Sequence, residues 1–168
     1  MTSRVRKGLL LAALHVAIVA TLGGKLLLDR TTRPRVWARV APVDPNLPIR
    51  GRYVRIRLEV VPDDGLSVDH AVTSNQATLV EEGGRLVARP AASDENALPV
   101  ITTVRNGERV LALDRPLAYF IPEHVPDPSL RPAGEELWAE VTLPRRGMPR
   151  PIRLGVKKDG VLTPLEFN

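Results

Sequence analysis

The chain contains no cysteine, which excludes thiol catalysis, disulfides, zinc ribbons and iron–sulfur ligation together. Histidine is scarce, at three in 168 residues. His15 lies in an apolar run, and His70 and His124 are too widely separated for close His-based ligation, so no metal site is expected. Ser67, Ser74 or Ser129 could complete a hydrolytic triad on paper, but no G-x-S-x-G elbow accompanies them. A glycine-rich phosphate cradle is missing as well, because Gly83-Gly84 falls inside a hairpin pattern rather than between a strand and a helix. These patterns therefore imply no catalytic residue and no cofactor. Aromatic residues make up only 4%, so Val, Leu, Ile and Ala are expected to build the core. Trp37, Trp138, Tyr53, Tyr119, Phe120 and Phe167 are read as its few large fillers.

Positive charge is plentiful, with a net +5, but it is unevenly placed. Residues 1–40 hold eight basic groups and one acid, Asp29, which leaves sixteen basic and eighteen acidic groups for residues 41–168. The body of the protein is thus near −2 and lacks the clustered positive field that counterion release from phosphates requires, so no nucleic-acid partner is expected. Acidic pairs at 63–64, 81–82 and 135–136 lie at or near turns and strand starts. Neighbours on a strand point to opposite faces, so these read as solvated charge rather than acid–base pairs.

From Gly8 to Gly24 no charge interrupts the chain. Extending the run through Lys25 to Leu28 gives a helix of roughly 32 Å, enough for one membrane span over about residues 8–28 within an anchor of residues 1–30. The Lys25 stem can lift its ammonium toward the headgroups. Arg4, Arg6 and Lys7 favour a cytoplasmic N-terminus, although Lys25, Arg30, Arg33, Arg35 and Arg39 flank the far side. A cleaved signal peptide would need small residues before a polar mature chain; Thr21-Leu22-Gly23 is instead followed by more apolar sequence, which favours an uncleaved anchor.

Residues 35–168 read as a mainly β domain, an antiparallel sandwich or partly open barrel of about nine strands. Sixteen prolines oppose helix interiors. The clearest strand covers residues 53–61, with Val54, Ile56, Leu58 and Val60 on a buried face and Tyr53, Arg55, Arg57 and Glu59 on a solvated one. Hairpins are expected around Asn106-Gly107, around residues 81–84 and around Asp159-Gly160. Residues 91–99 and the proline-rich stretch 122–134 read as irregular connections, the second long enough to move or to cover a sheet edge.

The stretch from Pro42-Val43-Asp44-Pro45 to Arg50-Gly51-Arg52-Tyr53-Val54-Arg55-Ile56-Arg57-Leu58, placed after an anchor, resembles the bacterial membrane-anchored family named for its GDYXXLXY motif. Gly51 and Tyr53 match the motif's glycine and first tyrosine, whereas Arg52, Ile56 and Leu58 stand where it has Asp, Leu and the second Tyr. The segment from Tyr119 to Glu123 is similar to the family's later aromatic-apolar-Pro-Glu segment. The resemblance implies a bacterial inner-membrane protein with an extracytoplasmic β domain and no established activity.

Two functions follow as expectations. In the first, a non-enzymatic module tethered by its single span binds another envelope or membrane protein through residues 44–53 and 122–132, with Asp44, Arg50, Gly51, Arg52, Tyr53, Tyr119 and Glu123 as the candidate interaction motif; tethering lets modest affinity suffice. In the second, a small-ligand binder or hydrolase-like enzyme gathers Asp44, Arg50, Arg52 and Glu123 in a cleft, where arginine forks would hold a carboxylate or phosphate.

Overall fold

The computed structural model describes residues 3–42, 53–66, 68, 75–91 and 96–167. Asp44, Arg50, Gly51 and Arg52 of the motif lie outside the described residues, as do His70, Ser67 and Ser74. The chain divides into two compact units, Met1–Arg33 and Pro34–Asn168.

The first unit is one helix, α1 (Ser3–Thr32). Over Val5–Thr32 it is long and apolar enough to cross a membrane, and its leucines and valines stand exposed along its length, as expected of a helix that is hydrophobic all round. His15 sits in this helix, with no ionic partner among the described residues. Its Nδ1 donates to the Leu11 carbonyl one turn earlier, at 2.8 Å, so the one polar ring of the apolar run is satisfied within its own helix. The helix ends with Arg33 paired to Asp29 at 3.1 Å.

The second unit is mainly β among its described residues, in agreement with the expected class. Ten strands form one continuous sheet: β1 (Arg35–Pro42), β2 (Tyr53–Pro62), β3 (Asn75–Glu82), β4 (Arg85–Pro90), β5 (Leu98–Arg105), β6 (Glu108–Leu113), β7 (Leu117–Phe120), β8 (Glu135–Thr142), β9 (Arg150–Lys158) and β10 (Val161–Pro164). Three hairpins close through two-residue turns with positive φ at both centres, at Gly83-Gly84, Asn106-Gly107 and Asp159-Gly160. That geometry matches the right-handed twist of the flanking strands. The first of these turns is tighter than the four-residue connection expected, because β3 runs on to Glu82.

Strand β2 organises the sheet. Its first half pairs with β1 on one edge and β7 on the other, and its second half meets β6 antiparallel and β4 parallel. From β1 the sheet continues through β8 and β9 to β10, and from β4 through β3 and β5 to β6. The pairings around β4, β3, β5 and β6 return to β2, but two residue pairs make the β4 junction, so the sheet is not a clear barrel.

The core follows the period-two pattern. Val54, Ile56, Leu58 and Val60 are buried and meet Val36, Ala38 and Val40 of β1, Leu111 and Leu113 of β6, and Leu137, Ala139 and Val141 of β8 in one cluster. Aliphatic side chains supply this core, as composition requires. The expectation that aromatics fill it is corrected: Phe120 is 73% exposed, and neither tryptophan is buried. Only Tyr119 and Phe167 pack against the cluster. A second correction concerns the other face of β2, where Tyr53, Arg55, Arg57 and Glu59 are half-buried rather than solvated, because side chains from neighbouring strands lean over them.

Candidate functional site

Antiparallel register sets the site. Trp37 faces Glu140 across the β1–β8 ladder, and Arg39 faces Trp138. On the next ladder, Trp138 faces Gly155 and Glu136 faces Lys157. Alternate residues share a face, so Trp37 and Arg39 of β1, Glu136 and Trp138 of β8 and Lys157 of β9 stand together opposite the core. Glu59 of β2 joins them as the next residue out on the face of Arg57. A one-residue shift of register would send this whole set inward, and the buried Val36, Ala38, Leu137 and Ala139 between them prevent that.

Gly155 makes room at the centre. A Cβ there would lie 2.9 Å from Cζ3 of Trp37 and 3.1 Å from the Thr163 carbonyl oxygen, so the bare glycine is the seat for the edge of the indole. Arg153 covers Trp37 at 5.4 Å from the ring centroid and is itself held by Glu140 at 2.6 Å. The Lys157 ammonium lies 4.7 Å over Trp138. Cation and quadrupole attract in both pairs.

Four charged side chains link the strands. Arg39 binds Glu136 at 2.7 Å, and Glu136 also accepts the Trp138 indole N–H at 3.1 Å. Arg105 of β5 donates to Oε2 of Glu59 at 2.5 Å and reaches Glu108 at 3.3 Å. The Oε1 oxygen of Glu59 is different. Arg39 Nε stands 4.0 Å from it, beyond hydrogen-bond reach, and it has no hydrogen-bond partner among the described residues. The Glu59 side chain is only 10% exposed. Burial pushes its carboxyl above the ordinary value of 4.5, an effect that Arg105 and Arg39 partly offset.

This cluster divides two cavities. The larger, of about 930 Å³, runs from Trp37 and Trp138 past Glu59 to Val61, Val68 and Arg85. The smaller, of about 550 Å³, lies on the other side, with Arg131, Pro132 and Ala133 of the proline-rich connection in its wall. Arg39, Glu59, Arg105 and Glu136 border both. Residues 122–134 are thus a chain of turns, closed by bonds such as Val125 N–H to the Pro122 carbonyl at 3.2 Å and Glu135 N–H to the Pro132 carbonyl at 3.1 Å, and they help wall a concavity. The larger groove carries five cationic side chains against two carboxylates, an excess of three positive charges on a body whose total is near −2. No group of three or more metal-ligating side chains is found among the described residues.

Comparison with protein-family models, with curated proteins and with solved structures finds no match. The site is therefore read from its own chemistry.

Of the motif residues expected to act, Tyr53 pairs with Phe120 and Val54 with Tyr119, so Tyr53 and Tyr119 occupy adjacent strands but opposite faces. Tyr119 turns to the core beside Phe167, with 6.1 Å between centroids. Tyr53 shares the outer face of β2 with Glu59, roughly 20 Å along the strand at 3.3 Å per residue, and packs at a tilt of 54° against Phe120, with 6.2 Å between centroids. Glu123 is exposed in the turn after β7 and does not line the groove. The six residues that build the groove's centre, Trp37, Arg39, Glu59, Arg105, Glu136 and Trp138, are not among the site residues read from sequence. Two alternations carried the signal: Trp37-Ala38-Arg39 and Glu136-Leu137-Trp138 each place a large functional side chain on either side of a buried apolar one.

Proposed function

We propose that this protein is a membrane-tethered binding module of the bacterial cell envelope, a divergent relative of the GDYXXLXY proteins, which holds its partner in the groove beside Glu59. In this reading α1 remains uncleaved as a single inner-membrane span, its N-terminus is cytoplasmic, and the β domain works outside the cytosol on another envelope or membrane protein. The groove carries the proposal. It combines apolar walls, two indoles and a polar centre whose carboxylates are committed to guanidinium and indole donors except at one oxygen, and such a mixture suits recognition. In the same reading, residues 44–53 and the 122–132 connection would add contacts of their own to the partner.

The test is crosslinking in intact membranes, with a photoreactive residue placed at Leu162 or Arg85 on the groove, or within residues 46–52. One discrete adduct, lost from the probes at Arg85 and within residues 46–52 when the groove is blocked by L162W, is the expected result. Absence of any specific adduct from all three positions, or recovery of the chain in a salt-washed supernatant without α1, would overturn it.

A further inference from the structure

We propose that the connection between β8 and β9 (residues 143–149) and the start of β9 lie against the membrane surface and hold anionic phospholipid headgroups through Arg145 and Arg150. This rests on the tethered reading above and concerns a surface apart from the groove, which neither arginine lines. From Val141 to Lys158 the chain carries six basic residues and no acidic one, which leaves ten basic against eighteen acidic groups for the rest of residues 41–168. Part of that run is committed within the fold, Arg153 to Glu140 at 2.6 Å and Lys158 to Glu135 at 3.4 Å. Arg145 and Arg150 are different. Both stand exposed, and neither has an ion-pair partner among the described residues.

Position selects the partner. Arg35 faces Thr142 across the β1–β8 ladder, and Thr142 faces Arg150 across the next, so Arg150 and the start of the connection share the end of the sheet at which the chain enters β1. The Leu143 N–H donates to the Pro34 carbonyl at 3.2 Å, which ties the connection to the first residue of the β domain. Pro34 comes six residues after Leu28, where the apolar run ends, a reach of at most about 20 Å for an extended chain. With that run in a bilayer, the tether holds headgroups at high effective concentration beside this end of the sheet. Met148 packs against the core cluster and Pro149 is buried, so the connection is pinned and loses less freedom on contact. Guanidinium forks match phosphate oxygens, and lipids diffuse in the membrane plane, so two arginines can be met without a fixed spacing between them. Each cation at an anionic membrane contributes a factor of about five. Two are too few to hold a free domain there, but they settle a tethered one.

Because the chain has no cysteine, a single dye can be attached at R146C, or at L130C as a control. Leu130 is 76% exposed and precedes the opposite end of β8. The full chain is placed in nanodiscs of phosphatidylcholine, with or without phosphatidylglycerol, and a nitroxide on the lipid headgroup serves as quencher. Quenching at R146C is expected in the anionic discs alone, and it should fade in about 1 M salt, where the screening length is about 3 Å. The ratio of docked to undocked connection should fall about fivefold in R145Q and in R150Q, and contact should be absent in R145E/R150E. The L130C dye should stay bright in both lipids. Unchanged thermal unfolding shows that R145E/R150E is folded, and R145Q/R150Q serves should the double reversal fail to fold.

Equal quenching in the two lipids, equal quenching at the two dye positions, or quenching unchanged in R145E/R150E would overturn the assignment. So would its loss to millimolar inorganic phosphate at constant ionic strength, which marks a small-anion site rather than a lipid surface. A dye left unquenched on a chain held in the discs refutes the surface contact and leaves the tethered module standing. A chain that does not enter the discs refutes both.

Discussion

At the scale of single residues, Gly155 and Glu59 show how much one position can hold. Gly155 is required by space and not by backbone conformation: its missing Cβ is where the Trp37 indole and the Thr163 carbonyl converge. In G155A the new methyl meets the ring on one side and a backbone oxygen on the other, so the ring must shift and a loss of about 1–3 kcal/mol is expected, measurable by urea unfolding together with a shift of tryptophan emission. Glu59 titrates against its burial. Because its carboxyl is raised in the folded state, the folded chain holds that proton more tightly than the unfolded one. Its contribution to stability is therefore complete below the ordinary carboxylate value and is lost as pH rises through the raised value. E59Q lacks this step, so the difference in melting temperature between wild type and E59Q should shift against wild type as pH rises above the ordinary carboxylate value of 4.5; parallel curves over that rise would contradict the assignment.

At the scale of elements, turn chemistry and register decide where the site residues go. Asn106 and Gly107 hold φ of 49° and 85°, which asparagine tolerates and glycine adopts freely. G107A is expected to cost about 1–2 kcal/mol and, since this hairpin sets the register that carries Arg105, to weaken the Arg105–Glu59 link; urea unfolding measures the first effect and the pH profile of stability the second. The β8–β9 ladder carries an irregularity between Glu140 and Val141, where Val141 faces Pro151 and Glu140 faces Arg153. Ile152 is the extra residue. Proline cannot donate to a ladder, and a bulge beside it keeps Arg153 opposite Glu140 and Gly155 opposite Trp138.

At the scale of the molecule, an apolar helix and a β domain are separate compact units. Removing residues 1–33 should leave the unfolding free energy of the β domain, measured in urea, within about 0.5 kcal/mol of that of the full chain in detergent, the range of a change outside the core, while moving the protein from the membrane fraction to the supernatant. A markedly less stable truncated domain would show that the units depend on each other. The same scale sets the field of the groove. Sixteen basic and eighteen acidic groups after residue 40 nearly cancel over the whole body, yet they segregate so that one concavity is positive, which no total charge could reveal.

Local patterns determined a great deal here. The uninterrupted run from Gly8 to Gly24 dictated one long apolar helix, the alternation along β2 required one buried face, and the turn residues at 106–107 and 159–160 required tight hairpins, because each of these is settled by neighbours within a few positions. The function of the half-exposed side chains was not settled that way. Trp37 and Trp138 looked like core filler, and Glu59 looked like one more solvated charge, since sequence distance hides that positions 37, 59, 105, 138 and 155 fall side by side. Only the pairing of β1 with both β2 and β8, and of β2 with β6 at the edge that brings β5 near, placed two indoles and a buried carboxylate around one groove. Long-range register, summed over many strands, is a property of the whole sheet and of no single segment.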